Sequence, residues 1–130
     1  MIDFILDSQS GVSAYMQIVH QVKQALRLGL LMPGDQVPTV REVVAQVALN
    51  PNTVLKAYRE LEMEGLVASR PGQGTFVLKS LAGPSLASHA QLQCDLRRWL
   101  ATARTAGLDE ESIDALFSRT VRQHRTVRVG

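Results

Sequence analysis

Apolar and polar positions in the first half of the chain follow helical spacing, interrupted by short polar turns. Between residues 14 and 28, apolar side chains recur three and four positions apart, which predicts an amphipathic helix with Ser13 at its N-cap. Two shorter stripes of the same kind predict helices at residues 39–47 and 51–64. Only three residues separate these two helices, a spacing typical of a helix-turn-helix.

Both short helices carry recognisable start signals. Thr39 and Glu42 have the spacing of a capping box, in which the hydroxyl accepts from the Glu42 amide and the glutamate reaches back. Asn50 followed by Pro51 is typical of an N-cap and a first helical position. The signals and the apolar stripes therefore agree on where the two helices begin.

A β-hairpin is predicted directly after the second short helix. Residues 66–70 and 75–78 are β-prone and flank the turn Pro-Gly-Gln-Gly at residues 71–74. A phosphate-cradling loop is the alternative, but the Gly-Lys-Ser/Thr of a P-loop is absent and the turn joins two strands. The hairpin is interpreted as the wing of a winged helix-turn-helix.

Small residues around Gly83 and Pro84 then predict a hinge. We divide the chain into a winged helix-turn-helix domain, residues 1–79, and a helical region, residues 80–130. The predicted fold class is mainly α with a small β-hairpin, followed by a two-helix C-terminal dimerisation appendage.

The two C-terminal helices are predicted at residues 88–105 and 110–125, and Asp109 is suited to cap the second. A lone two-helix hairpin cannot bury apolar stripes on both helices, so pairing across a twofold axis is expected. The alternative is a monomer in which these helices fold back onto the winged helix. The predicted dimer interface comprises Leu92, Leu96, Trp99, Leu100, Ile113, Leu116 and Phe117.

Composition limits the class of protein. The 130 residues, 45% of them hydrophobic, are enough for a core without disulfides, and the single Cys94 cannot form an internal one. The N-terminal sequence is unlike a signal peptide, and no apolar run is long enough to span a membrane. We expect a cytoplasmic protein without membrane association.

Net charge does not by itself indicate nucleic-acid binding, although the sequence pI is about 9.0. Residues 1–79 hold seven Lys and Arg and seven Asp and Glu, so this part is neutral. The surplus of +2 lies in the C-terminal region. The argument for DNA therefore depends on where the charges are placed.

The second short helix has a polar, partly basic side opposite its apolar stripe. This polar side consists of Asn52, Thr53, Lys56 and Arg59. Residues of this kind in the first turns of a helix contact bases and phosphates in the major groove. The alternative is an ordinary solvated helix face. The acids of this helix are confined to its C-terminal half, which favours the DNA interpretation.

Arg41 stands in the first turn of the preceding helix, where a cation opposes the helix dipole. Pairing with Glu42 or Asp35 is one explanation, and a phosphate clamp is the other. Arg70 flanks the hairpin, from which a wing presents it to the DNA backbone or minor groove.

The sequence gives little support for a metal site or for catalysis. His20, His89 and His124 lack the spacing of metal ligands, and no serine has a convincing base nearby. We therefore expect no enzymatic activity, no metal and no cofactor. A winged helix that binds protein without contacting DNA remains the alternative function, although its exposed helix would be expected to carry apolar anchors.

Several segments resemble the GntR family of transcription regulators, in particular its YtrA-type subgroup. Residues 33–42 (PGDQVPTVRE) resemble the loop and helix start of that family, and residues 50–62 (NPNTVLKAYRELE) resemble its recognition helix. Residues 65–77, which include RPGQGTFV, are similar to its wing. The resemblance spans about residues 2 to 78.

This resemblance implies a homodimer on a palindromic double-stranded DNA operator, usually acting as a repressor. It also implies a small-molecule effector, which we expect at the dimer interface or between the domains. Taken with the residue patterns above, the predicted DNA-binding residues are Thr39, Arg41, Asn50, Asn52, Thr53, Lys56, Arg59, Arg70, Gly72, Gln73 and Gly74.

The chain departs from the family pattern at Leu55, where many members have an arginine that touches DNA. That contact cannot be transferred to this chain. Leu55 either meets a thymine methyl group or packs beside the core.

Overall fold

The computed structural model describes residues 2–82 and 86–129, which form five helices and one antiparallel hairpin. The predicted fold class, mainly α with a small hairpin, is confirmed. The predicted hinge at Gly83 and Pro84 lies outside the described residues. The elements are α1 (Ala14–Arg27), α2 (Val40–Val47), α3 (Pro51–Met63), β1 (Val67–Arg70), β2 (Gly74–Val77), α4 (Leu86–Thr105) and α5 (Glu110–Val129).

The chain divides into two compact units, Met1–Leu86 and Ala87–Gly130, called here the N-terminal and C-terminal units. The first contains the helix-turn-helix and the hairpin, and the second contains the two long helices. None of the helices in the described part of the chain has the length and apolar character that a membrane span requires.

The core of the N-terminal unit lies where α3 packs against α1 and α2. Val54, Ala57 and Leu61 project from one side of α3 and are completely buried. Removing a valine or leucine side chain from water in this way stabilises the fold by about 1.5–3 kcal/mol, and the smaller alanine contributes less. The fully buried residues that surround them include Ile18, Val19, Val22, Leu26 and Val43.

The predicted helix starts are largely confirmed. The Thr39 hydroxyl accepts from the Glu42 amide and the Glu42 carboxylate accepts from the Thr39 amide, both at 3.1 Å. The Asn50 side-chain oxygen caps α3 by accepting from the Asn52 amide at 2.8 Å. Ser13 occupies the N-cap position of α1, but its side chain makes no capping hydrogen bond.

Two glutamines of α1 hold the extended N-terminal segment. The Gln21 side-chain amide accepts from the Ile5 backbone N–H at 3.0 Å and donates to the Ile5 carbonyl at 2.6 Å. Gln17 makes the same pair of bonds with Asp7, at 2.8 and 2.9 Å. These bonds seat Phe4 in the core, where it is 4% exposed.

The hairpin is extended by the segment that precedes α2. Strand β1 pairs with β2, with Val67 opposite Val77. On the other side of β2, the Gly34 amide donates to the Val77 carbonyl at 2.9 Å, and the Val37 amide donates to the Thr75 carbonyl at 3.0 Å. The wing is thus attached along its length to the loop that leads into α2.

The C-terminal unit buries few of its described side chains. Ala103 and Ile113, close to the turn between α4 and α5, are 6% and 4% exposed. Asp109 caps α5 by accepting from the Ser112 amide at 2.8 Å, as predicted. Helix α5 continues to Val129, so the predicted end at residue 125 is wrong, because neither proline nor glycine interrupts the chain before residue 130.

Tyr58 connects α3 to the start of α2. Its buried hydroxyl donates to the carbonyl of Pro38, the residue immediately before the N-cap Thr39. Burial, and secondarily the negative charge of Glu42, raises the pKa of Tyr58 well above its ordinary value. The hydroxyl therefore stays protonated in the folded protein and holds the two helices in register.

We predict that Tyr58→Phe lowers the free energy of unfolding by about 1–3 kcal/mol, because the Pro38 carbonyl loses its buried donor. Urea denaturation measures the change, and Tyr15→Phe is the matched control. Since only the unfolded chain ionises this tyrosine near pH 10, the stability it contributes is present below that pH and lost above it. A difference between wild type and Tyr58→Phe that does not shrink above about pH 10 would contradict this.

Candidate nucleic-acid interface

The outward side of α3 is polar and exposed. Asn52, Lys56 and Arg59 lie opposite the buried stripe and are exposed, while Thr53 lies half-buried at its edge. A helix has about 3.6 residues per turn, so these positions share one side. The four residues predicted to meet DNA on α3 are thus brought together on one surface.

Lys56 has a contact that the sequence analysis missed. Its ammonium lies 4.1 Å from the centre of the Tyr15 ring on α1. An ammonium over an aromatic face is held by the ring quadrupole. Lys56 is therefore directed towards the N-terminal end of α1, whereas Asn52 and Arg59 have no such partner among the described residues.

Arg41 is exposed in the first turn of α2 and forms no ion pair with any carboxylate of the described residues. Glu42 and Asp35, the two carboxylates that could pair with Arg41, bind backbone amides instead. Glu42 accepts from the Thr39 amide, and Asp35 accepts from the Met32 amide at 2.8 Å. Arg41 is thus a cation left available at the N-terminal end of α2.

Two acids near the C-terminal end of α3 bind other parts of the N-terminal unit. Glu62 accepts from the Ser69 amide on β1 at 3.0 Å. The Glu64 carboxylate, just after α3, lies 2.7 Å from the Lys23 ammonium. These contacts hold negative charge at the C-terminal end of the helix, and the first two turns of α3 carry no acid.

Two predicted DNA-binding residues also cap helices. The hydroxyl of Thr39 accepts from Glu42, which leaves its own O–H able to donate to a phosphate oxygen. The side-chain oxygen of Asn50 caps α3, which leaves its NH₂ group as a donor. Both donors lie at helix N-termini, where the dipole attracts anions.

The tip of the wing carries Arg70, Gly72, Gln73 and Gly74. The Arg70 guanidinium lies 4.5 Å from the centre of the Phe76 ring, so its positive charge lies along the hairpin. Gly72 has a φ of +76°, which the turn requires, and Gln73 is exposed.

Gln36 positions this wing and was not identified from the sequence. Its side-chain amide donates to the Gln73 carbonyl at 3.1 Å and crosses directly over Gly74. At Gly74 the φ is +125° and a Cβ would collide with the Gln36 amide, so this glycine serves the packing of the wing. The sequence signal for this contact was the polar Gln36 next to the apolar Val37, because a change from polar to apolar at successive positions is typical of an extended segment.

Four of the seven predicted dimer residues line an open apolar groove between α4 and α5. The groove has a volume of about 520 Å³ and is lined by Leu96, Trp99, Leu116 and Phe117, among others. The rings of Trp99 and Phe117 are 6.4 Å apart at their centres. Outside the groove lining, Leu92 is 60% exposed, Leu100 is half-buried, and Ile113 is buried beside the turn.

Comparison with known proteins agrees with this geometry. The family profile described as bacterial regulatory proteins, gntR family, matches residues 14–77. The HTH-type transcriptional repressor YtrA of Bacillus subtilis is 33% identical over 109 residues, which cover 83% of this chain and 84% of that protein.

The chain is also similar to several solved structures. YtrA from Sulfolobus acidocaldarius, a GntR-family transcription factor, matches with a TM-score of 0.55 and 28% identity, over 75% of this chain and 97% of that one. AraR(DBD) in complex with operator ORE1 matches with a TM-score of 0.50 and 28% identity, over 59% of this chain and 94% of that one. The chain therefore belongs to the GntR family of bacterial regulatory proteins and is a helix-turn-helix DNA-binding transcription regulator.

Proposed function

We propose that this regulator is a cytoplasmic homodimeric repressor that binds a palindromic operator through α3 and the wing. The observation that carries the proposal is Arg41, an exposed cation in the first turn of α2 that forms no ion pair with the described residues. The similarity to a repressor and to AraR(DBD) in complex with an operator supports it.

In this proposal α3 enters the major groove with its first turns. Asn52 is suited to pair with the N6 and N7 edge of an adenine, and Arg59 to donate to a guanine or a phosphate. The polar outward side of α3 and the absence of acids from its first two turns favour this orientation. Base recognition is thus assigned to α3.

Positioning on the DNA backbone is assigned to the start of α2 and to the wing. Arg41 and Thr39 present a guanidinium and a hydroxyl at one helix N-terminus, and both groups bind phosphate. Arg70 and Gln73 extend from the hairpin to the neighbouring backbone or minor groove. Such contacts fix the register of a protein on DNA without distinguishing its sequence.

The C-terminal unit is assigned to dimerisation. Two helices of 20 residues each leave Leu96, Leu116 and Phe117 between 42% and 46% exposed. A second copy paired across a twofold axis covers this groove, and a twofold dimer suits a palindrome whose half-sites lie about 34–36 Å apart. A small-molecule effector that binds at this dimer surface would regulate operator binding.

We predict that the protein binds a specific duplex with a Kd on the order of 10⁻⁸ M and that Arg41→Ala weakens binding to every sequence. Loss of one phosphate contact flattens the slope of log K against log salt by about 0.9 per protomer. Arg27→Ala, at the end of α1, is the control with the same change of charge. Fluorescence anisotropy at several salt concentrations measures the affinity and the salt slope of each variant. Equal slopes for Arg41→Ala and Arg27→Ala would be inconsistent with a phosphate contact by Arg41.

Asn52→Ala is expected to act differently, by relaxing preference at one or two operator positions. The loss corresponds to about 1–3 kcal/mol of discrimination against the wrong base. Selection from a random DNA pool, performed in parallel with wild type and Arg41→Ala, measures the preference. Failure of the wild-type selection to enrich any motif would refute sequence-specific binding, and a preference altered equally in both variants would refute the assigned roles.

Trp99→Ala is expected to raise the Kd of the dimer by at least about thirtyfold, because a large aromatic at the centre of an interface is an energetic hot spot. Arg98→Ala, on the outer side of the same helix, should leave the dimer intact. Light scattering after size exclusion determines the masses, and circular dichroism checks that α4 and α5 remain folded. An intact wild-type chain that runs as a monomer at micromolar concentration would disprove dimerisation.

A further inference from the structure

Leu55 is the apolar exception on the outward side of α3. It is 37% exposed, and it is not part of the hydrophobic core or of the side chains packed against it. More than a third of its surface is therefore open to a partner outside the protein. One exposed leucine is ordinary on a protein surface, so its meaning depends on its neighbours.

Those neighbours are the residues assigned to base recognition. Leu55 follows Asn52 by three positions and precedes Arg59 by four, so the three side chains are adjacent along one stripe of the helix. Three residues advance about 4.5 Å along a helix axis, compared with about 3.4 Å for one base-pair step. A base contacted by Leu55 is thus within about two base pairs of the base contacted by Asn52.

We propose that Leu55 is a specificity-determining residue that packs against the C5-methyl group of a thymine in the operator. This inference depends on the proposed DNA-binding function. The methyl group is the apolar feature that bases offer in the major groove, whereas the other groups there are donors and acceptors. A leucine facing the amino group of cytosine would remove it from water without a partner, which disfavours that base.

The same helix supplies a matched control in Met63. It is 82% exposed and apolar, but it is the last residue of α3, two turns beyond Leu55. Bases are reached from the first turns of a recognition helix. Truncation of Met63 should therefore leave methyl recognition unchanged.

The experiment replaces each thymine of the selected operator in turn, in both half-sites, with deoxyuridine, which differs only by the methyl group. Binding of wild type, Leu55→Ala and Met63→Ala is measured by fluorescence anisotropy. We expect one thymine whose replacement weakens wild-type and Met63→Ala binding by about three- to tenfold. For Leu55→Ala the thymine and deoxyuridine duplexes should bind equally.

The proposal is overturned if no thymine is sensitive to loss of its methyl group, or if the sensitivity persists in Leu55→Ala. Either result would leave sequence-specific DNA binding intact. Failure of the wild-type protein to select any operator would instead refute the proposed function and this inference with it. Because each protein is compared with itself on two duplexes, a general loss of affinity in Leu55→Ala does not affect the ratio.

Discussion

The burial of one side of α3 determines where the functional groups of the N-terminal unit lie. Val54, Ala57 and Leu61 are completely buried against the neighbouring helices. Because side chains are distributed around a helix at about 3.6 per turn, fixing these three inward fixes Asn52 and Arg59 outward. The surface proposed to meet DNA is therefore a direct result of how the core is packed.

Polar contacts then refine the distribution of charge. The N-terminal part of the sequence is electrically neutral, yet several of its acids bind other parts of the fold, as when Glu62 binds the wing and Glu64 binds Lys23. Arg41 and Arg59 have no comparable partners among the residues that the structure describes. A neutral unit thereby presents a cationic side, which total charge did not reveal.

Features set by residues within four positions of one another were predictable from the sequence. The capping box at Thr39 and Glu42 and the apolar stripe of α3 are of this kind, and the outward side of α3 follows from that stripe. Contacts between distant segments were not predictable, because spacing along the chain does not indicate which segments meet. The bonds of Tyr58 to Pro38 and of Gln36 to Gln73 join residues 20 and 37 positions apart.

The two glutamines of α1 have a consequence for the exchange of backbone amides with solvent. Ile5 and Asp7 lie outside any strand, yet each has its N–H and its carbonyl bound by one side-chain carboxamide. A carboxamide can do this because it both accepts and donates, which a carboxylate of the same size cannot. Deuterium uptake at these two amides therefore reports detachment of the segment from α1. Hydrolysis of either glutamine to glutamate removes the donor to the carbonyl and loosens the segment at that residue.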